Sequence, residues 1–193
     1  MPRIIAGTHR SRSLETIEGM STRPYTDRVK ESVFNILQGH IEGFHVLDLF
    51  SGIGTMGLEA VSRGAASVLM VERDRGVFAA LERNLDMLDA DDVATAIQGD
   101  ALSSLPILRS PRPLHVIFVD PPYAMMEDDR TRSRILQQVQ HVSELLDDDG
   151  FIVLRTPLKH PRVDHSIEGL VGPEVRGYQK QQTVLFYGRE TTT

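Results

Sequence analysis

From residue 44 onward the chain repeats one pattern: a short apolar run, a turn, then a segment with helical periodicity. "FHVLDLF" leads through "SGIGTMG" into a helix ending at about Arg63. "SVLMVE" leads into "DRGVFAALERNLDML", where Val77, Phe78, Leu81, Leu85 and Leu88 share one helical face. "VATAIQGD" supplies a third strand, "LHVIFVD" a fourth and "GFIVLRT" a fifth, with a mostly polar helix over about 128–146 between the last two. Strands that are apolar at nearly every position are buried on both faces, which requires a mostly parallel sheet with helices on each side. "PEVRGYQKQQTVLFYG" closes the chain as an antiparallel hairpin. The expected architecture is therefore α/β with a seven-stranded sheet.

Upstream of this repeat, short apolar pieces (Ile4, Ile5 and Ala6, then Leu14, Thr16 and Ile17) are broken by Gly7 and Gly19, which predicts a small hairpin arm over 1–22. "RPYTDRVKESVFNILQG" predicts a helix that opens the main domain, 23–193. Pro24 suits its entry, Thr26 or Asp27 can cap it, and Gly39 stops it. At 193 residues and 40% hydrophobic composition the chain can bury one sizeable core.

Composition narrows the functional classes. The chain has no cysteine, so disulfides and Cys-ligated metals are excluded. The start "MPRIIAGTHR" has no apolar leader and no apolar run is long enough for a membrane span, so a soluble cytoplasmic protein is expected. The seven histidines show no metal-ligand spacing, His115 reads as a packed or edge residue, and "DADD" (89–92) and "DDD" (147–149) read as solvated turns. No metal is expected. Net charge is −6, but residues 1–30 hold six basic against three acidic side chains, +3, leaving −9 for the rest. A basic arm on an acidic body can contact phosphates locally while the body avoids non-specific nucleic-acid binding.

The turn after the first strand, "DLFSGIGTMG", contains Gly52-x-Gly54-x-x-Gly57, a backbone able to bend sharply and approach a ligand at a helix start. Glu72 ends the next strand twenty residues after Gly52, where a carboxylate can accept from both hydroxyls of a ribose. Dinucleotides and S-adenosylmethionine share this geometry. Asp48, four residues before Gly52, favours the second: a carboxylate there suits a cationic amino acid moiety and offers nothing to a pyrophosphate. Asp100, closing the third strand, can read an adenine edge or cap a helix over 101–108.

The fourth strand ends in Asp120-Pro121-Pro122-Tyr123. A purine amine is a weak nucleophile because its lone pair is delocalised into the ring. Acceptors that grip both N–H bonds favour a pyramidal nitrogen aimed at a methyl donor. The Asp120 carboxylate and the Pro121 carbonyl can be those acceptors, while the prolines stiffen the turn and remove two competing N–H donors. Tyr123 can stack on the base, an interaction worth about 1–3 kcal/mol. This chemistry does not choose among guanine N2, adenine N6, cytosine N4 and a glutamine amide.

With these residues in place, the chain resembles the bacterial 16S rRNA guanine-N2 methyltransferases of the RsmD type. The resemblance rests on "RIIAGTHRSRSL", "STRPYTDRVKESVFNIL", "VLDLFSGIGTMGLEAVSRGA", "VERDR" and "IFVDPPY", the first two being the most discriminating. It implies a Rossmann-like class I methyltransferase fold, S-adenosylmethionine as cofactor, and one guanine of the small-subunit rRNA as target in assembled or assembling 30S particles. Carried over by position, Asp48, Phe50, Ser51, Gly52, Gly54, Glu72, Arg73, Asp100 and Ala101 would hold the cofactor. Asp120, Pro121, Pro122 and Tyr123 would hold the base, and Arg10, Arg12, Arg23 and Arg28 would face RNA. "RPYTDRV" has Tyr25 where the family pattern usually has Thr, and "AMMEDDRTRSR" after Tyr123 reads as an exposed insertion. A monomer is expected. The competing readings are another amino methyltransferase such as a DNA adenine-N6 enzyme, a nicotinamide-dependent oxidoreductase, and a ribosome-binding factor without activity.

Overall fold

The computed structural model of the protein describes residues 1–17, 25–159, 161–178 and 182–189. The strands β1 (His45–Leu49), β2 (Ser67–Glu72), β3 (Ala94–Gln98), β4 (Leu114–Val119), β5 (Leu146–Thr156), β6 (Leu170–Tyr178) and β7 (Gln182–Arg189) form one sheet in the order β3-β2-β1-β4-β5-β7-β6. β1 to β5 pair in parallel, and β7 runs antiparallel to both β5 and β6. Strand order reverses between β1 and β4, a switch point that opens a crevice at the carboxyl ends of those two strands.

Alternate residues of each strand feed two cores. Val46, Met70, Phe118 and Val153 point to one face, where α1 (Asp27–Ile36), α2 (Gly57–Ser62) and α3 (Arg75–Met87) cover them. Leu47, Val71, Ile117 and Ile152 point to the other, against α6 (Asp129–Ser143) and the segment around α4 (Leu105–Arg109). α1 begins where the sequence predicts. The Thr26 hydroxyl accepts from the Val29 N–H, and Gly39 beyond the helix adopts φ +87°. Pro24 and Gly19 lie outside the described residues.

Residues 1–17 form a turn closed by one antiparallel bridge, Arg3 to Ser13, and they insert Ile4 and Leu14 fully into the first core. Gly7 makes this possible, because a Cβ there would sit 1.7 Å from the Ser62 carbonyl oxygen.

Three expectations need correction. A short helix α5 (Tyr123–Glu127) follows the Pro-Pro turn, so "AMMEDDRTRSR" is exposed over most of its residues but is not a simple insertion: it folds into α5 and the start of α6, and Met126 anchors it completely buried. The "DDD" run belongs to the irregular start of β5, where pairing with β4 shifts register between Leu114 and Val116, rather than to a free turn. Asp100 does not cap a helix over 101–108. Its side chain accepts from the Leu102 N–H two residues on, and α4 starts only at Leu105.

Candidate active site

The crevice between β1 and β4 gathers Asp48, the glycine loop and the Asp120–Tyr123 turn. Leu49 pairs with Val119, and the Asp120 N–H donates to the Leu49 carbonyl at 3.3 Å, so the two loops leave the sheet side by side. Phe50 then takes φ +61°, a left-handed conformation costing about 1–3 kcal/mol for such a side chain and typical of functional turns. Ser51 is buried inside the turn. Its hydroxyl donates to the Asp48 carbonyl at 2.6 Å and accepts from the Val71 N–H at 2.8 Å, locking β1 to β2.

Both oxygens of Glu72 accept main-chain hydrogen bonds, from the Gly52 N–H at 3.0 Å and the Asp74 N–H at 2.7 Å. The glycine loop is thereby pinned to the end of β2, and Asp74 caps α3 immediately beyond. Asp48 is 1% exposed and accepts from the Gly57 N–H at 2.9 Å. Glycine at the head of α2 leaves room for its neighbours: a Cβ on Gly57 would lie 2.6 Å from the Met70 sulfur and 3.1 Å from the Asp48 carboxylate, so a larger residue would displace the buried Met70 side chain. Burial pushes the Asp48 carboxyl well above the usual carboxylate range, the Gly57 N–H partly offsets this, and the charges of Asp120 and Glu72 push it further up. Asp48 therefore has little to offset its buried charge, which a cation placed beside it would relieve.

Asp120 carries an unpredicted partner. Arg155 of β5 is 2% exposed and binds it through two parallel hydrogen bonds, Nε to Oδ1 at 2.5 Å and Nη2 to Oδ2 at 2.7 Å. The guanidinium carbon stands 4.3 Å from the Tyr25 ring centroid and 5.6 Å from that of Tyr123. Burial raises the Asp120 carboxyl above its ordinary value, and Arg155 draws it back down. The signal for Arg155 was present in the sequence, as the one charge inside the apolar run "GFIVLRT". Pro122 precedes α5 and its carbonyl accepts from the Met125 N–H, while Pro121 is buried.

Other predicted residues are more scattered. Ala101 is buried beneath the loop after β3, and Arg73 is exposed just past Glu72. Arg10 and Arg12 are exposed on the tip of the N-terminal turn. That tip is held at the far end of α2, where the Thr8 and His9 N–H groups donate to Ser62, roughly 9 Å along the helix from its start at the crevice. Arg28 is exposed on the first turn of α1, close in sequence to Tyr25. Arg23 lies outside the described residues. Asn84 of α3 joins the N-terminal segment to the glycine loop: its Oδ1 accepts from the Glu15 N–H, and its Nδ2 donates to the Ile53 carbonyl. Among the described residues no cluster of three or more His, Asp or Glu is arranged to hold a metal ion.

The sheet order, the pinned glycine loop and the Asp-Pro-Pro-Tyr turn at the switch point define a Rossmann-like methyltransferase. The family described as conserved hypothetical protein 95 matches residues 2–187, and the chain belongs to that family, the RsmD family. It is 37% identical over 150 residues to "Ribosomal RNA small subunit methyltransferase D" of Escherichia coli K12, covering 78% of this chain and 69% of the relative. It is 36% identical over 152 residues to a candidate rRNA methyltransferase, YlbH, of Bacillus subtilis 168, covering 78% and 80%. A solved Escherichia coli candidate methyltransferase, yhhF, matches with a TM-score of 0.80 at 30% identity over 98% of both chains.

Proposed function

We propose that this protein transfers the methyl group of S-adenosylmethionine to the exocyclic N2 amine of one guanine in 16S rRNA, acting as a cytoplasmic monomer on assembled or assembling 30S subunits. The observation that carries the reading is the position of Asp120. Its carboxylate stands at the switch point beside the buried Asp48, at the end of a strand whose next residues are Pro121, Pro122 and Tyr123. When bound, the cofactor supplies an electrophilic methyl on a sulfonium.

The residues fit that group. Asp48 holds a carboxyl whose buried charge is relieved by an adjacent cation, here the ammonium of the amino acid portion. Glu72, already oriented by two N–H donors, retains lone pairs for ribose hydroxyls. Asp100 and Ala101 lie beyond β3, where the adenine would end. Phe50, Gly52 and Gly54 shape the turn beneath, Ser51 braces it from inside, and Arg73 borders it.

On the substrate side, the Asp120 carboxylate and the Pro121 carbonyl accept the two amine hydrogens, and Tyr123 supports the ring. With the cofactor bound, these acceptors would hold the amine lone pair toward the methyl carbon it supplies, the electron pair of the carbon–sulfur bond would remain on sulfur, and the surplus proton would leave through the Asp120 carboxylate. Rate comes from alignment and removal of water rather than from a strong base. Arg10, Arg12, Arg23 and Arg28 supply phosphate contacts. A groove of about 480 Å³ between α1 and β6 is lined by Arg28, Glu31, Ser32, Asn35 and Arg176. Arg176 is paired with Glu174, so Arg28 is the arginine this groove offers to a phosphate.

The reading is tested by incubating the protein and labelled S-adenosylmethionine with 30S subunits from a strain lacking the enzyme, with duplex DNA in parallel. Label is expected in rRNA. Label in DNA with none in rRNA would replace it by the adenine-N6 alternative.

A further inference from the structure

The chemistry above asks for a carboxylate at position 120, yet it does not by itself ask for Arg155. A buried guanidinium is costly to strip of water, and its worth depends on geometry and on partners that satisfy it. Here the geometry is fully two-pronged, with Nε on one Asp120 oxygen and Nη2 on the other. Side-on binding of this kind fixes rotation of the carboxylate about its last torsion, whereas a single contact leaves it free. Each carboxylate oxygen accepts about two hydrogen bonds, so one lone pair on each remains after Arg155 has taken its share. The same cation lies over the Tyr25 ring and 5.6 Å from the Tyr123 ring centre. One side chain on β5 therefore binds the acceptor and neighbours both rings.

We propose that Arg155 is a positioning residue for methyl transfer: it presents the remaining lone pairs of Asp120 to the target amine and sets the spacing of Tyr25 and Tyr123 around the base. This rests on the amine-gripping role given to Asp120 above. The groups within electrostatic reach of Asp120 are Arg155 from β5, Asp48 from β1 and Tyr25 from the segment before α1, with Tyr123 of α5 beside Arg155. Arg155 is the cation among them, and it opposes the upward pull of burial on the Asp120 carboxyl. Without it, Asp120 ionises at higher pH.

The test uses the full-length protein, single-turnover transfer to unmethylated 30S subunits across a pH series, and cofactor affinity measured alongside. Arg155→Lys keeps the charge but loses the two-pronged fork. It is expected to fold, to bind S-adenosylmethionine within about threefold of wild type, and to transfer at least about 100-fold more slowly, the effect of a misplaced group. Arg155→Met is expected to be slower still and to move the acid limb of the rate profile to higher pH, while Arg155→Lys leaves that limb near its wild-type place. Wild-type rates in Arg155→Lys would overturn the proposal, as would a slow Arg155→Met with an unmoved acid limb. If Arg155→Met does not fold, the Arg155→Lys rate alone decides in the same way. Failure of the wild-type protein to methylate 30S subunits would instead overturn the amine reading and this inference with it.

Discussion

Asp48 and Asp120 are both carboxyls whose proton affinity is raised by burial, but their surroundings differ. Asp120 is offset by Arg155, while Asp48 has a single main-chain N–H against it and two further carboxylates nearby. A folded-state value above 3.8 means that the native state binds the Asp48 proton more tightly than the unfolded chain does. This contribution to stability is fully present below 3.8 and is lost as pH rises through the folded value. Asp48→Asn, which can still accept from the Gly57 N–H, is therefore expected to melt above wild type at neutral pH, with the gap closing on acidification. The same variant is expected to bind S-adenosylmethionine at least about tenfold more weakly and to lack the rise of affinity with pH expected of the wild type as Asp48 ionises, both read by titration calorimetry. For Asp120→Ala the expectation is reversed: transfer falls by about 100-fold or more while cofactor affinity stays within a few-fold. Glu72 and Asp120 were legible in sequence because each closes an apolar strand, and Asp48 because it interrupts one. The Asp120–Arg155 pair was not, because the partners are 35 residues apart and meet only through the register of β4 with β5.

At the scale of elements, Glu59 binds the N-terminal segment to two helices. Completely buried on α2, it accepts from the Ile5 and Ala6 N–H groups, from Lys30 Nζ on α1 and from Arg63 one turn on. Lys30, itself 1% exposed, also donates to the Arg3 carbonyl. Glu59→Gln removes the negative member of a buried pair and leaves the lysine charge uncompensated. It is expected to cost about 3–5 kcal/mol in a denaturant titration and to speed amide exchange over residues 4–14. Strands and long helices were readable from the period of their apolar residues. What escaped was structure that runs against local signals. Helix α5 starts directly after two prolines, β5 begins in three aspartates, and Lys30 shares the apolar face of α1 because its partner comes from another helix.

At the scale of the whole molecule, charge and topology divide the labour. The acidic body gathers carboxylates at the switch point, and arginines outside it on the N-terminal turn and α1 supply the positive surface. If Arg10 and Arg12 each neutralise one rRNA phosphate, Arg10→Ala/Arg12→Ala is expected to weaken 30S binding and to reduce the salt slope by roughly two, one unit per contact. An unchanged slope would confine that turn to a structural part. The central claim is that Asp120 presents a guanine amine to the methyl donor. It is tested most directly by digesting methylated 16S rRNA to nucleosides after reaction with wild-type and Asp120→Ala protein. The account predicts N2-methylguanosine from the wild type and none above background from the variant. Label in a different nucleoside, or equal yields from both proteins, would contradict it.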